Sequence, residues 1–470
     1  MHAHEAGWAH AQGARGPSWL QVPEDTNALV QHLWSSTAHK NDDGALVVGG
    51  VDLRDLVAEH GSAAYVLDEA DFRARARAFR DAFSDQAGWD VYYAGKAFLC
   101  TTVARWIVEE GLCLDVCSNG ELSVAIRAGV DPARIGYHGN NKTVPELARA
   151  LDLGVGRIVV DSFHEIERLA ALVEQTGKRA RVMVRVTAGV EAHTHEFIAT
   201  AHEDQKFGFS ITSGDAFEAV RRVLAAPGLE LLGLHSHIGS QIFDSAGFEV
   251  AARRVLALHA RIISELGVEP PEMDLGGGFG IAYTTQDDPS TPERLAAEML
   301  AIVARECSDL GIAAPRLSIE PGRAIAGPST CTVYEVGTVK EVALDGGARR
   351  TYVSVDGGMS DNIRTALYDA DYSATLASRR SDAPPLLARV VGRHCESGDI
   401  VVKDEFLPAD IAPGDLVAVP GTGAYCRSMS SNYNHALRPP VIAVRDGVAR
   451  IIVRRETEDD LLATDMGAVQ

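Results

Sequence analysis

The chain has 470 residues, 46% of them hydrophobic and 23% charged, the balance of a folded protein with a large core rather than a disordered one. Lys plus Arg total 44 against 65 Asp plus Glu, a formal charge of −21 with no basic stripe, which argues against nucleic acid as a partner because phosphate binding needs clustered cations. No run of about eighteen apolar residues occurs and the opening MHAHEAGWAHAQGARG has no basic-then-apolar signal pattern, so the sequence reads as soluble and cytoplasmic, with no membrane partner. Seven scattered cysteines without a Cys-x-x-Cys pair predict reduced thiols.

Residues 1–44 are rich in His, Ala and Gly without a sustained period, and they read as a loosely ordered extension in which His2, His4 and His10 belong to a solvated tail. The run ALVVGGVDL (45–53) reads as strand. From about residue 64 a unit repeats, in which a short apolar run ends in polar or glycine residues and is followed by an Ala/Leu/Arg/Glu-rich helical stretch. The runs are AAYVLD (63–68), VYYAGK (91–96), LCLDVCS (112–118), RIGYHG (134–139), RIVVDS (157–162), RVMVRVT (181–187), LLGLHSHIG (231–239), MDLGGG (273–278) and RLSIEPG (316–322). Helices are predicted over 70–83, 120–128, 144–153, 164–175, 215–225, 248–266 and 291–309. Strands alternating with helices of this length predict an α/β fold, a closed (β/α)₈ barrel over 69–324. Beyond 325 short strands joined by Gly, Asp and Pro turns predict an all-β domain, made discontinuous by 45–68.

In such a barrel the active site forms at the carboxyl ends of the strands. Polar residues recur there: Lys96, Asp115, His138, Asp161, His237, Gly276 to Gly278, Glu320 and Arg323. Lys96 follows VYYAG, an apolar and aromatic setting that favours the uncharged amine, the form that attacks an aldehyde; a lysine snorkelling from a strand end is the plainer alternative. Asp274-Leu275-Gly276-Gly277-Gly278 offers backbone N–H groups to a phosphate, and it is not the dinucleotide fingerprint, because Ile281 stands where the third glycine belongs. His193, His195, Glu196, His202 and Glu203 crowd one stretch, yet Ala199 breaks the H-E-x-x-H pattern, so a structured loop is expected and no metal.

Taken with Tyr93-Ala94-Gly95-Lys96-Ala97, the motifs His235-Ser236-His237-Ile238-Gly239-Ser240, Gly276 to Gly278, Glu320-Pro321-Gly322-Arg323, Cys395-Glu396-Ser397-Gly398-Asp399 and Gly423-Ala424-Tyr425 resemble those of the pyridoxal-phosphate decarboxylases of the alanine-racemase-like barrel fold, the group acting on ornithine, diaminopimelate and arginine. The resemblance runs from about residue 45 to 458; Gly61-Ser62-Ala63 departs from the usual Gly-Thr-Pro. It implies that Lys96 holds pyridoxal 5'-phosphate, that His237 stacks on its ring, and that Asp115 and His138 line the pocket. Ser240, Gly276, Gly277, Gly278, Gly322, Arg323 and Tyr425 are implied to bind the phosphate, Glu320 the pyridine nitrogen, and Cys395 is implied to return a proton to the carbanion. Arg364 and Tyr368, four apart, would share a helical face as a clamp for a distal carboxylate, with Arg323, Tyr425 and Glu396 completing the substrate contacts. The implied reaction is decarboxylation of meso-2,6-diaminopimelate to L-lysine, the alternative being ornithine, arginine or a polyamine precursor. A homodimer with shared active sites is implied as well.

Overall fold

The computed structural model describes residues 16–85, 88–189, 206–243, 245–344 and 349–468. His2, His4, His10 and the cluster His193, His195, Glu196, His202 and Glu203 lie outside the described residues. Two compact units emerge: Arg73–Gly280 with Pro289–Ala324, and the residues up to Phe72 with Ile281–Asp288 and those from Ile325 on.

The first unit is a closed parallel barrel of eight strands, β1 (Asp90–Ala94), β2 (Cys113–Val116), β3 (Ile135–Tyr137), β4 (Arg157–Val160), β5 (Ala180–Thr187), β6 (Leu229–Ser236), β7 (Glu272–Asp274) and β8 (Arg316–Ile319). Each pairs with the next and β8 returns to β1. The strands are short and nearly all apolar because one face fills the barrel and the other lies under helices. Polar strand ends double as helix starts. Ser118 accepts from the Glu121 N–H, Ser162 from the Glu165 N–H, and Thr143 and Glu146 form a capping box, so Asn119–Ala128, Phe163–Thr176 and Val144–Leu153 begin within a residue of the predicted positions. Thr101–Glu109 is a helix that the sequence did not announce: Cys100 provides no side-chain cap, and the β-branched TTVARWIVE reads as strand as easily.

The second unit is built on the long strand Thr330–Ala343, which pairs antiparallel with Ala64–Asp68, Arg349–Val355 and Leu416–Pro420. Ala64–Asp68 also pairs in parallel with Val441–Arg445, so the apolar run at 63–68 belongs to this sheet and not to the barrel. Within the expected loose extension over residues 1–44, the described part from Leu33 on is ordered instead. Leu33, Trp34 and Ala38 are buried in one core with Leu46, Val48, Leu53, Val66, Val333 and Ile442, and His39–Lys40 starts a small antiparallel sheet with Leu46–Val48 and Val51–Asp52. Three anchors spaced too irregularly for a helical or strand period left no signal in the sequence. Trp34→Ala is expected to cost about 3–5 kcal/mol by removing a buried aromatic; a denaturant midpoint unchanged from wild type would show that the segment is not part of the core.

Candidate active site

Lys96 sits two residues past the end of β1, and its side chain is exposed rather than enclosed by the aromatic neighbours that the sequence suggested. Lys142, the other lysine near the strand ends, is committed: it is buried, pairs with Glu165 and donates to the carbonyls of Gly139 and Val159 at 2.7 Å each. The remaining polar groups converge on Glu320, one residue beyond β8. Its Oε1 lies 2.9 Å from His235 Nε2 and 3.4 Å from His138 Nε2, and His138 Nε2 is 3.0 Å from Asp115 Oδ1.

These neighbours drive the two carboxyls apart. Burial alone would raise Glu320, but His138, His235 and the hydrogen bond from His235 hold it well below the usual carboxylate range. Asp115 is raised well above its ordinary value by burial and then by the charge on Glu320. Burial lowers His138 to about 4, and burial together with the Lys96 ammonium lowers His237 as well, so both rings are neutral. His237 Nδ1 accepts the Gly277 N–H at 3.2 Å, which fixes its tautomer and turns the ring against the glycine turn.

That turn has no room for side chains. Gly276 and Gly278 adopt φ of +74° and +103°, and a Cβ on Gly276, Gly277 or Gly278 would collide with the carbonyls of Ser236, Glu320 and Gly239 respectively. The turn is tied down from below: the Gly276 N–H donates at 2.7 Å to Asp274, whose other oxygen accepts from Arg157 and Ser318. Arg157 is fully buried inside the barrel with its guanidinium 3.6 Å over the Tyr92 ring. Arg323 Nη2 donates to Ser240 Oγ at 2.8 Å, joining the end of β6 to the segment after β8. Among the described residues nothing accepts from the backbone N–H of Ser240, Gly278 or Gly322.

The barrel thus gathers Asp115, His138, His237, Ser240, Gly276 to Gly278, Glu320, Gly322 and Arg323 of the expected set, with Lys96 at its mouth. Three participants carry no role in the sequence reading: His235 and Asp274, which stand inside quoted motifs, and Arg157, which opens the run RIVVDS. His235 had a usable signal, since residues two apart on a strand share a face and His237 was already singled out. Arg157 and Asp274 had none, because a charge at a strand end looks the same whether it faces solvent or the barrel interior.

Arg364, Tyr368, Cys395, Glu396 and Tyr425 lie on the second unit. Arg364–Tyr368 is one helical turn as expected; Arg364 Nη1 donates at 2.6 Å to Tyr372, and the guanidinium lies 4.5 Å from the centre of the Tyr283 ring. Turning toward the buried side of a five-residue helix puts Arg364 among these rings, while Tyr368 stays half-buried. Arg364 Nε is buried with no hydrogen-bond partner. Cys395 is exposed on a turn held by its neighbours: its N–H donates to Asn434 Oδ1 at 3.3 Å, and Asp399 accepts the N–H groups of His394 and Met359. Glu396 accepts from Ser397 Oγ and the Gly398 N–H, and Tyr425 is half-buried with a left-handed φ of +63°.

Residues 69–327 match the pyridoxal-binding domain of the pyridoxal-dependent decarboxylases, which sets the class of the barrel and its cofactor, pyridoxal 5'-phosphate. The chain is 55% identical over 473 residues to the diaminopimelate decarboxylase of Mycobacterium leprae, covering 99% of this chain and 100% of that one. It is 56% identical over 442 residues to that of Mycobacterium tuberculosis strain H37Rv, covering 93% and 98%. The solved diaminopimelate decarboxylase of M. jannaschii, in complex with L-lysine, superposes with a TM-score of 0.85 at 29% identity over 92% of this chain and 98% of that one. The chain belongs to the diaminopimelate decarboxylase family. Among the described residues no helix is long and apolar enough to cross a membrane.

Proposed function

We infer that this protein is a pyridoxal-phosphate-dependent carboxy-lyase that converts meso-2,6-diaminopimelate to L-lysine and CO₂, the closing step of lysine biosynthesis, in the cytoplasm. The observation that carries the reading is the buried Glu320 carboxylate, set against His138 and His235 inside a barrel whose mouth bears the exposed Lys96. The donor set fits the cofactor. A carboxylate that stays charged suits a protonated pyridine nitrogen, and the unmatched N–H groups of Ser240, Gly278 and Gly322, beside Arg323, suit a phosphate.

When bound, the cofactor supplies an electron sink for the pair left behind as CO₂ departs. The chain's own residues do the rest. Lys96 would hold the cofactor covalently through Nζ at the barrel mouth. Glu320 would keep the ring nitrogen protonated, His237 would offer a flat face to the ring, and Asp115 and His138 would close the pocket. Arg364, with Nε uncommitted, takes the distal carboxylate of the substrate together with Tyr368, Tyr425 and Arg323, and Glu396 takes the distal ammonium. Cys395 delivers a proton from its Sγ to the carbon that has lost CO₂. Because Lys96 lies on the barrel unit and Cys395 and Glu396 on an exposed turn of the other unit, we assign Cys395 and Glu396 to the site of a partner subunit in a C₂ dimer with two composite sites.

The alternative substrates, ornithine, arginine or a polyamine precursor, lack a distal carboxylate for Arg364, and the high identity to curated diaminopimelate decarboxylases disfavours them. The cofactor-loaded chain is expected to release CO₂ from meso-diaminopimelate and to leave lysine, ornithine and arginine essentially untouched. Ornithine turned over as fast as diaminopimelate would refute the assignment of the distal clamp.

A further inference from the structure

The second unit carries a cavity of about 270 Å³ whose lining includes Ser62, Asp356, Ser360, Arg393, His435 and Arg455. The acids around it are already engaged. Asp356 accepts the Ser62 hydroxyl at 2.6 Å through Oδ2 and the Glu335 N–H at 2.9 Å through Oδ1, and Asp361 accepts the Tyr334 hydroxyl at 2.5 Å and the Gly358 N–H at 2.8 Å. Farther along the chain, Glu456 pairs with Arg438 at 2.6 Å and Asp460 with Arg454 at 2.5 Å. The cavity's own arginines are left over. Among the described residues neither Arg393 nor Arg455 has a carboxylate within 4 Å; Arg455 Nη2 donates to the Ala63 carbonyl at 2.9 Å, and the side chains of Arg393 and His435 make no hydrogen bond. Glu458 also lines the cavity, but it is exposed and water screens its charge. In a chain of formal charge −21, two arginines without carboxylate partners around one concavity make a local positive field.

We propose that this cavity binds a small dianion, a phosphate or a short dicarboxylate, through Arg393, Arg455 and His435, and that the bound ion steadies the turn carrying Cys395. Two guanidiniums match two negative charges, and their forked N–H groups suit phosphate or carboxylate oxygens. The volume falls just below the about 300–1,000 Å³ of pockets for drug-sized ligands, which limits the occupant to a few heavy atoms. The link to the turn is short. Arg393 stands two residues before Cys395, and its N–H donates to the Gly357 carbonyl at 3.0 Å. Ser360 Oγ lies 2.8 Å from His394 Nε2, and Asn434, the neighbour of His435, accepts the Cys395 N–H at 3.3 Å. An ion that draws Arg393 and His435 to itself therefore holds both sides of the turn. The site stands on the cavity alone; its effect on turnover rests on the reading above that makes Cys395 the proton donor.

The test uses the full-length protein loaded with pyridoxal phosphate, so that the barrel's phosphate site is taken, and titrates it calorimetrically at constant ionic strength with inorganic phosphate, with succinate and, as a neutral control, with glycerol. Saturable binding of one ion per chain is expected in at least one of the first two arms, the tighter arm naming the source of the dianion, and none with glycerol. Arg393→Gln and His435→Gln, each checked for native circular dichroism, should weaken binding about tenfold or more. Arg364→Ala should leave it unchanged, which separates this site from the substrate clamp. Saturating ion is expected to raise kcat for CO₂ release about twofold or more in the unaltered protein and not in Arg393→Gln. No saturable binding, or binding unchanged in both cavity variants, would overturn the site. Binding lost in the variants but without effect on kcat would overturn the link to Cys395. Binding as expected in a protein that releases no CO₂ under any condition would overturn the reading of function and leave the site standing.

Discussion

Lys96→Ala and Cys395→Ala are each expected to be inactive alone and to recover about a quarter of wild-type activity when mixed under subunit exchange. The loss at Cys395 is that of a positioned proton donor, on the order of 10²–10⁴ in kcat. At Lys96 the covalent hold on the cofactor disappears altogether. Random pairing makes about half of the dimers mixed, and each mixed dimer carries one defective site and one site with both residues intact. If both residues came from the same chain, every site would stay defective and mixing would restore nothing. Subunit exchange is verified separately with two distinguishable labels.

Arg364→Ala is expected to lower kcat/KM for meso-diaminopimelate by about 10²–10⁴, because a buried carboxylate left without its charged partner costs about 3–5 kcal/mol. The magnitude follows from where the arginine sits. It is 5% exposed, it already gives one N–H to Tyr372, and its guanidinium lies against the rings of Tyr283 and Tyr372. Tyr372→Phe separates positioning from binding. It keeps the ring and the guanidinium but frees Nη1, so a loss well below that of Arg364→Ala is expected. A kcat/KM for Arg364→Ala within threefold of wild type would show that the distal carboxylate is held elsewhere.

The sequence carried most of the barrel because each unit repeats the same local logic: an apolar run, a polar cap, a helix. Where that logic weakens, so does legibility. Thr101–Glu109 lacks a capping side chain, and Leu33 and Trp34 are isolated anchors whose burial depends on strands distant in sequence, such as Thr330–Ala343. The same division applies to the site. Residues presented at strand ends, such as Asp115, His138 and Glu320, were readable as a register of polar termini. Partners that act by meeting across the barrel, Arg157 with Asp274 or His235 with Glu320, were not, because sequence position says nothing about which chain segments converge. Arg364 shows the intermediate case. Its helical turn was foreseeable, but the choice of Tyr372 over Tyr368 depends on which side of that turn is buried.

The central claim is that the barrel mouth is a pyridoxal-phosphate centre organised around Lys96, and it is tested most directly by reducing the cofactor-loaded protein with borohydride and mapping the pyridoxyl label by peptide sequencing. The label is expected on Lys96 alone, with Lys142 unmodified because Glu165 and two carbonyls hold its ammonium. A label on Lys142, Lys206 or any other lysine, or none at all, would contradict the account.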